Sequence, residues 1–177
     1  MNDALVIEPL PPGLIRQPLA WMAAEHHRCR QVCTLIDEIA SSIDLLADEM
    51  RQALTFLRND LPLHLADEDE DLFPMLRQRC DREDEVGRVI RALSADHRRD
   101  ADEVTEISDM LDHAVRVERP LADSGKAQGR LRDFTARQSA HIALENAVVL
   151  PIARLRLNRF DLEHLSQGMA GRRNMSL

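Results

Sequence analysis

"HLADEDEDLFPML", residues 64–76, runs five consecutive acids, Asp67 to Asp71, straight into the hydrophobes Leu72, Phe73, Met75 and Leu76. A run of like charge ordinarily marks a solvated face or a disordered segment. At helical spacing, however, His64, Glu68 and Leu72 share one face, because residues four apart stand above one another. The stretch predicts a helix that turns a histidine and a glutamate to the same side as its core residues. The form recurs once: "HIALENAVVLP", residues 141–151, repeats H-x-x-x-E followed by apolar residues and proline.

Working outward, the apolar periodicity predicts four long helices. The first starts near Pro18, a residue tolerated at the first helical position, and carries the stripe Leu19, Met22, His26, Cys29, Cys33, Ile36. "ASSID" breaks it, with Ser42 or Asp44 as the next N-cap. The second helix runs to about Cys80 with the stripe Leu61, His64, Glu68, Leu72, Met75, and Pro62 and Pro74 are expected to kink it. Asp81 is the expected cap of the third, whose stripe is Val86, Ile90, Leu93, His97, Ala101, Val104, Leu111. After a loop at 119–125 comes the fourth, with Leu131, Phe134, Gln138, His141, Glu145, Val149, Ile152. The expected organisation is an N-terminal arm (1–15), a bundle (16–157), and a short C-terminal helix and tail (158–177), the helix capped by Asp161.

Composition agrees. Aromatics make up 3% of the chain, there is no Tyr, and Gly is scarce, which favours an all-α domain over a sheet. The expected fold is an antiparallel up-down-up-down four-helix bundle. The net charge of −8 argues against nucleic acid or an anionic membrane surface as partner. No apolar run is long enough to span a membrane, and the first residues lack the features of a signal peptide. Three cysteines, Cys29, Cys33 and Cys80, suit a reducing compartment, so a cytoplasmic location is expected.

Each helix thus carries one histidine on its buried stripe: His26, His64, His97 and His141. The second and fourth add Glu68 and Glu145. Counting from the turns at about 1.5 Å per residue brings the second, third and fourth helices' polar residues to nearly one level. A lone histidine on an apolar stripe is usually a hydrogen-bonded core residue. Six ionisable groups facing one another in a core are another matter, since unpaired buried charge is costly and a cation relieves it. Mixed imidazole and carboxylate donors suit iron, manganese or zinc. Six donors exceed what one tetrahedral zinc uses, which favours two ions. Asp67, Glu70 and Asp71 are expected largely on other faces and mostly solvated, with a place behind the ligands as the second reading of Asp67; Asp69 and Glu70 are expected to be dispensable for metal. Glu25 and Asp100 are read first as solvated and second as partners of ligand imidazoles. His27, His113 and His164 are read as surface residues.

At "EHHRC", "HLADEDEDLFPML", "DHRR" and "HIALENAVVLPIA" the chain resembles the hemerythrin-like family, the HHE cation-binding domain, over about residues 15–172. The resemblance implies a non-haem di-iron centre of histidines and bridging carboxylates that binds dioxygen or related small oxidants. Carried over by position, its ligands are His26, His64, Glu68, His97, His141 and Glu145. Oxygen-carrying members place a second histidine on the third helix, four residues from the first. Here Leu93 and Ala101 stand at those places, which counts against reversible oxygen carriage. The expected function is binding or sensing of dioxygen, peroxide or nitric oxide by a stand-alone protein, with small anions as further ligands. The alternatives are an oxidase or peroxidase, a cation store, and an interaction module stabilised by its metal.

Overall fold

A computed structural model describes residues 6–81 and 84–177. Among them every regular element is helical. The chain forms α1 (Pro18–Ser41), α2 (Ala47–Thr55), α3 (Leu61–Ala66), α4 (Phe73–Arg79), α5 (Val86–Val117), α6 (Gly125–Leu144), α7 (Leu150–Arg156) and α8 (Arg159–Arg172). Three π turns, Phe56–Asp60, Asp67–Leu72 and Glu145–Val149, join α2 to α3, α3 to α4 and α6 to α7 without breaking the rods. The helices thus run as four long rods, over 18–41, 47–79, 86–117 and 125–156.

The π turns have a cause in the sequence. Proline lacks an N–H, and its ring collides with the carbonyl four residues back. Pro62, Pro74 and Pro151 each lie one or two residues beyond a π turn. Widening that turn relieves the collision and re-satisfies the backbone through i→i+5 bonds. Leu61, Phe73 and Leu150 N–H groups donate to the carbonyls of Phe56, Glu68 and Glu145. The expected kinks are thus π bulges. Each absorbs an extra residue, so the buried stripe moves on by one position. Beyond Glu68 the core residues are Leu72, Phe73 and Leu76, with Met75 only half-buried; beyond Glu145 they are Val149, Leu150 and Ala153, with Ile152 half-buried.

Several boundaries differ from the sequence reading. Ser42 closes α1, and its Oγ accepts from Asp44 N–H at 3.1 Å, so it builds a turn; α2 begins at Ala47 with no side-chain cap. α5 begins at Val86, because residues 81 and 84 close a turn in which Asp81 N–H donates to Asp84 Oδ2 at 2.9 Å; Asp81 therefore caps nothing, and residues 82 and 83 lie outside those described. The cap of α8 is Asn158, with Asp161 as its reciprocal partner three residues on in a capping box. Residues 12–16 of the expected arm form a 3-10 helix that buries Ile15, whose carbonyl accepts from Ser166 Oγ at 2.7 Å.

Two apolar clusters fill the bundle. One holds Cys29, Ile36, Leu57, Leu61, Ile107, Leu111, Leu131 and Phe134. The other holds Met22, Leu72, Phe73, Leu76, Ile90, Leu93, Val149, Leu150, Leu165 and Met169. Burying each such side chain stabilises by about 1.5–3 kcal/mol. On every rod a histidine lies at or beside the boundary between the two: His26 between Met22 and Cys29, His64 between Leu61 and Leu72, His97 between Leu93 and Ile107, and His141 next to Ile142, the last residue of the first cluster before Val149.

α8 packs on α1 and on the π turn Asp67–Leu72. The approach is close at Gly168, where a Cβ would collide with the Asp71 carboxylate, itself paired with Arg172. Gly168→Ala is expected to lower stability by about 1–3 kcal/mol through overpacking, read as a lower thermal midpoint; an unchanged midpoint would show that the turn yields freely.

Candidate metal centre

The six residues singled out by spacing meet in the layer between the two clusters. They form two interlocked groups, His26, His64, Glu68, Glu145 and Glu68, His97, His141, Glu145, each with ligand atoms within 4.8 Å of one another. All six are buried, at 7% exposure or less. Glu68 lies among three imidazoles: His26 Nε2 is 3.5 Å from its Oε1, and His64 and His97 Nε2 are 3.7 and 3.5 Å from its Oε2. Glu145 does the same for His26 at 3.3 Å, His97 at 3.8 Å and His141 at 2.9 Å. Donors bound to one ion at about 2.1 Å stand roughly 3.0 Å apart at octahedral and 3.4 Å at tetrahedral edges. The observed spacing lies in and just above that range.

The donor set fits a cation in a second respect. Glu68 Oε2 and both oxygens of Glu145 are buried without a hydrogen bond of good geometry. His97 and His141 turn their Nε2 atoms towards each other at 2.9 Å, so two nitrogens converge where one proton at most can sit between them. Such groups are expensive in a core unless a positive charge satisfies them.

Outer partners set the tautomers. His26 Nδ1 meets Asn146 Oδ1 at 3.0 Å. His97 Nδ1 meets Asp69 Oδ2 at 2.8 Å, and Asp69 Oδ1 accepts from Ser94 Oγ at 2.6 Å. His141 Nδ1 lies 3.6 Å from Asp96 Oδ2, beyond hydrogen-bond distance. Where Nδ1 is occupied as donor, at His26 and His97, Nε2 is left facing inward with its lone pair. His64 Nδ1 has no such partner and packs edge-on against His26, ring centroids 5.0 Å apart.

The acidic run is therefore not solvated as expected. Asp69 orients His97, and Asp67 is fully buried against Arg172 Nε (2.9 Å) and Arg173 (2.7 Å). Asp71 pairs with Arg172, and only Glu70 is exposed. Neither is Glu25 solvated: it is buried against Arg28, at 3.2 and 3.0 Å, with Asp60 on the guanidinium's other side. Ala101 is exposed, and the buried position on that turn is Asp100, which accepts from Gln138 Nε2 at 2.6 Å. An imidazole at 101 would thus point away from the layer. His27, His113 and His164 are exposed, in line with the sequence reading.

Asp69, Asp96 and Asn146 escaped the sequence analysis, although a signal existed. Both glutamates are followed directly by a short polar residue, Asp69 and Asn146, and each holds a histidine of another helix.

Burial pushes Glu68 well above the usual carboxylate range, and the facing Glu145 adds to the effect. For Glu145 burial acts the same way but is outweighed by the close imidazoles of His141 and His97, so its carboxyl is held well below the usual range. Burial alone would lower His97 and His141; contact with Glu145 raises both. His64 is held well below its ordinary range by burial and by the neighbouring His26. Burial raises the Cys29 thiol strongly and the Cys33 thiol to about 12, so both remain protonated core groups and lack the thiolate needed for oxidation chemistry.

One side of the layer is apolar, closed by Met22, Leu72, Leu93 and Val149, with Phe73 stacked on His97 at 5.7 Å. The other side, one turn away, is Cys29, Leu61, Asp100 and Gln138, next to a cavity of about 10 Å³.

Two expectations follow from this geometry. Glu68→Ala and Glu145→Ala should abolish metal retention, Asp69→Ala should weaken it by about 10–100-fold through His97, and Glu70→Ala should leave it unchanged, as read by chelator competition; equal loss in all four would refute this assignment. Metal uptake should also release protons and strengthen as pH rises, because raised Glu68, His97 and His141 hold protons that a cation must displace. Titrating metal into weakly buffered apoprotein with a pH indicator reads this directly, and proton-neutral uptake would contradict it.

No curated protein and no solved structure matches the chain. The family model of the hemerythrin HHE cation binding domain matches residues 17–153, from the turn before α1 into α7, and spans all six clustered residues. No helix among the described residues is long and apolar enough to cross a membrane. A buried layer of four imidazoles and two central carboxylates within that span makes this chain a member of the hemerythrin HHE cation-binding family.

Proposed function

We propose that the protein holds two iron ions in this layer and binds or senses dioxygen, peroxide or nitric oxide in the cytoplasm. The observation that carries the reading is the sharing of Glu68 and Glu145 between two four-donor groups. Shared carboxylates at the centre, with two imidazoles on either side, suit a dinuclear site rather than a single tetrahedral zinc. An iron pair would supply redox chemistry and open positions for one small exogenous ligand. The residues do the rest. Glu68 and Glu145 would hold the ions from the centre, Asn146 and Asp69 keep the ring nitrogens of His26 and His97 turned inward, and the apolar side excludes water.

The antiparallel up-down-up-down four-helix order belongs to the same reading. It is supported by the alternation of the two clusters on either side of successive histidines. Burial of all six residues favours ligands no larger than a few atoms. Each four-donor group would leave an octahedral ion short of protein ligands, which favours rapid autoxidation and anion binding over reversible oxygen carriage.

Elemental analysis after iron-rich expression is expected to give about two irons per chain. The optical spectrum should change on adding oxygen and again on adding azide or peroxide. A single tightly held zinc, or an iron spectrum indifferent to all three, would overturn the reading; sustained peroxide turnover would move it to an oxidase or peroxidase.

A further inference from the structure

The π turn Asp67–Leu72 carries both Glu68 and Asp69, yet it concentrates five carboxyl groups on one widened helical turn. Like charges at this spacing repel, and a buried carboxylate without a partner is driven towards water. Left alone, the turn would swing outward and take Glu68 from the layer. What opposes this is the end of α8. Arg172 reaches Asp67 Oδ1 through Nε at 2.9 Å, Glu70 at 3.4 Å, the carbonyl of Ala66 at 3.5 Å, and Asp71. Arg173 adds a contact to Asp67 Oδ2 at 2.7 Å. Arg173 is itself fixed, its guanidinium lying 5.3 Å from the centre of the Trp21 ring and donating to the Met169 carbonyl at 3.1 Å. Gly168 lets α8 come close enough to Asp71 for this to happen.

We infer that Arg172 and Arg173 are positioning residues for the metal centre, holding the acidic π turn so that Glu68 faces Glu145 and Asp69 meets His97. The inference rests on the metal-binding reading above. Neither arginine touches a proposed ligand. They act through Asp67, the residue next to Glu68, and Asp71. α8 lies beyond residue 153, where the family match ends, so the clamp comes from outside the matched span. The same helix has a second tether far along its axis, where Arg79 donates to both oxygens of Asp161 at 2.9 and 2.8 Å. That tether binds α8 to α4 without touching the acidic turn, which makes it the natural control for mere docking of the helix.

The test measures ferrous iron affinity anaerobically, by competition with a chromophoric chelator, on full-length protein whose circular dichroism shows the helical fold intact. Arg172→Gln with Arg173→Gln is expected to weaken iron binding at least about tenfold, the lower end of the range for residues that orient ligands. Arg172→Lys with Arg173→Lys, which keeps the charge, should restore most of the affinity. Arg79→Gln should lower the thermal midpoint but leave the affinity at the wild-type value. Wild-type affinity in the glutamine pair overturns the inference, as does a loss in Arg79→Gln equal to that of the glutamine pair, or a lysine pair as weak as the glutamine pair. Should the glutamine pair fail to fold, Arg172→Gln alone, which leaves Arg173 on Asp67, carries the same comparison. A wild-type protein that takes up no iron counts against the metal reading itself, and is distinguishable because then no variant can differ from it.

Discussion

Two carboxylates facing one another in a dry core set the terms for everything around them. Glu68 and Glu145 are fully buried and lie close enough for Glu145 to raise the proton affinity of Glu68. Apolar packing alone offers no reason to place such a pair there, since replacing buried ions by hydrophobes is often neutral or stabilising. Four imidazoles surround the pair, and two of those rings are held from behind by Asn146 and Asp69. The two apolar clusters lie on either side of this layer. The bundle is thus two ordinary hydrophobic cores separated by a polar sheet of side chains that a cation would complete.

The charge balance extends beyond the layer. Asp67 would be an unsupported buried anion without Arg172 and Arg173, as Glu25 would be without Arg28. Arginine suits both places because its planar guanidinium satisfies several oxygens at once and is only weakly hydrated. The acidic character of the chain is therefore partly internal. Internal pairing removes acids and arginines together, so it leaves the excess of eight acids to the rest of the molecule.

How much of this was legible in the sequence depended on range. The four rods and the six central residues follow from local spacing, because helical periodicity places His64 above Glu68 and His141 above Glu145 whatever surrounds them. The partners Asp69 and Asn146 follow from the same motif once the residue after each glutamate is considered. By contrast, the burial of Asp67 depends on Arg172 and Arg173, more than a hundred residues away, and no local pattern shows that contact. Ala101 and Asp100 were exchanged because the phase of a 32-residue helix drifts by the time its stripe is counted across it. The helix starts failed where turns such as Ser42–Asp44 and Asp81–Asp84 used up the capping side chains.

The π turn at Glu145–Val149 lets one residue be held without disturbing the core beyond it. It absorbs one residue beyond what an α-helix would need. Ala147, on its outer side, is exposed. Deleting it would close the turn to α geometry and place Val149, Leu150 and Ala153 three, four and seven positions after Glu145, the spacing of one α-helical face. The buried side chains would keep their places, and the change would fall on the backbone, where the ring of Pro151 would again meet the carbonyl four residues back. The proline, rather than the core, is therefore what holds the extra residue in this segment.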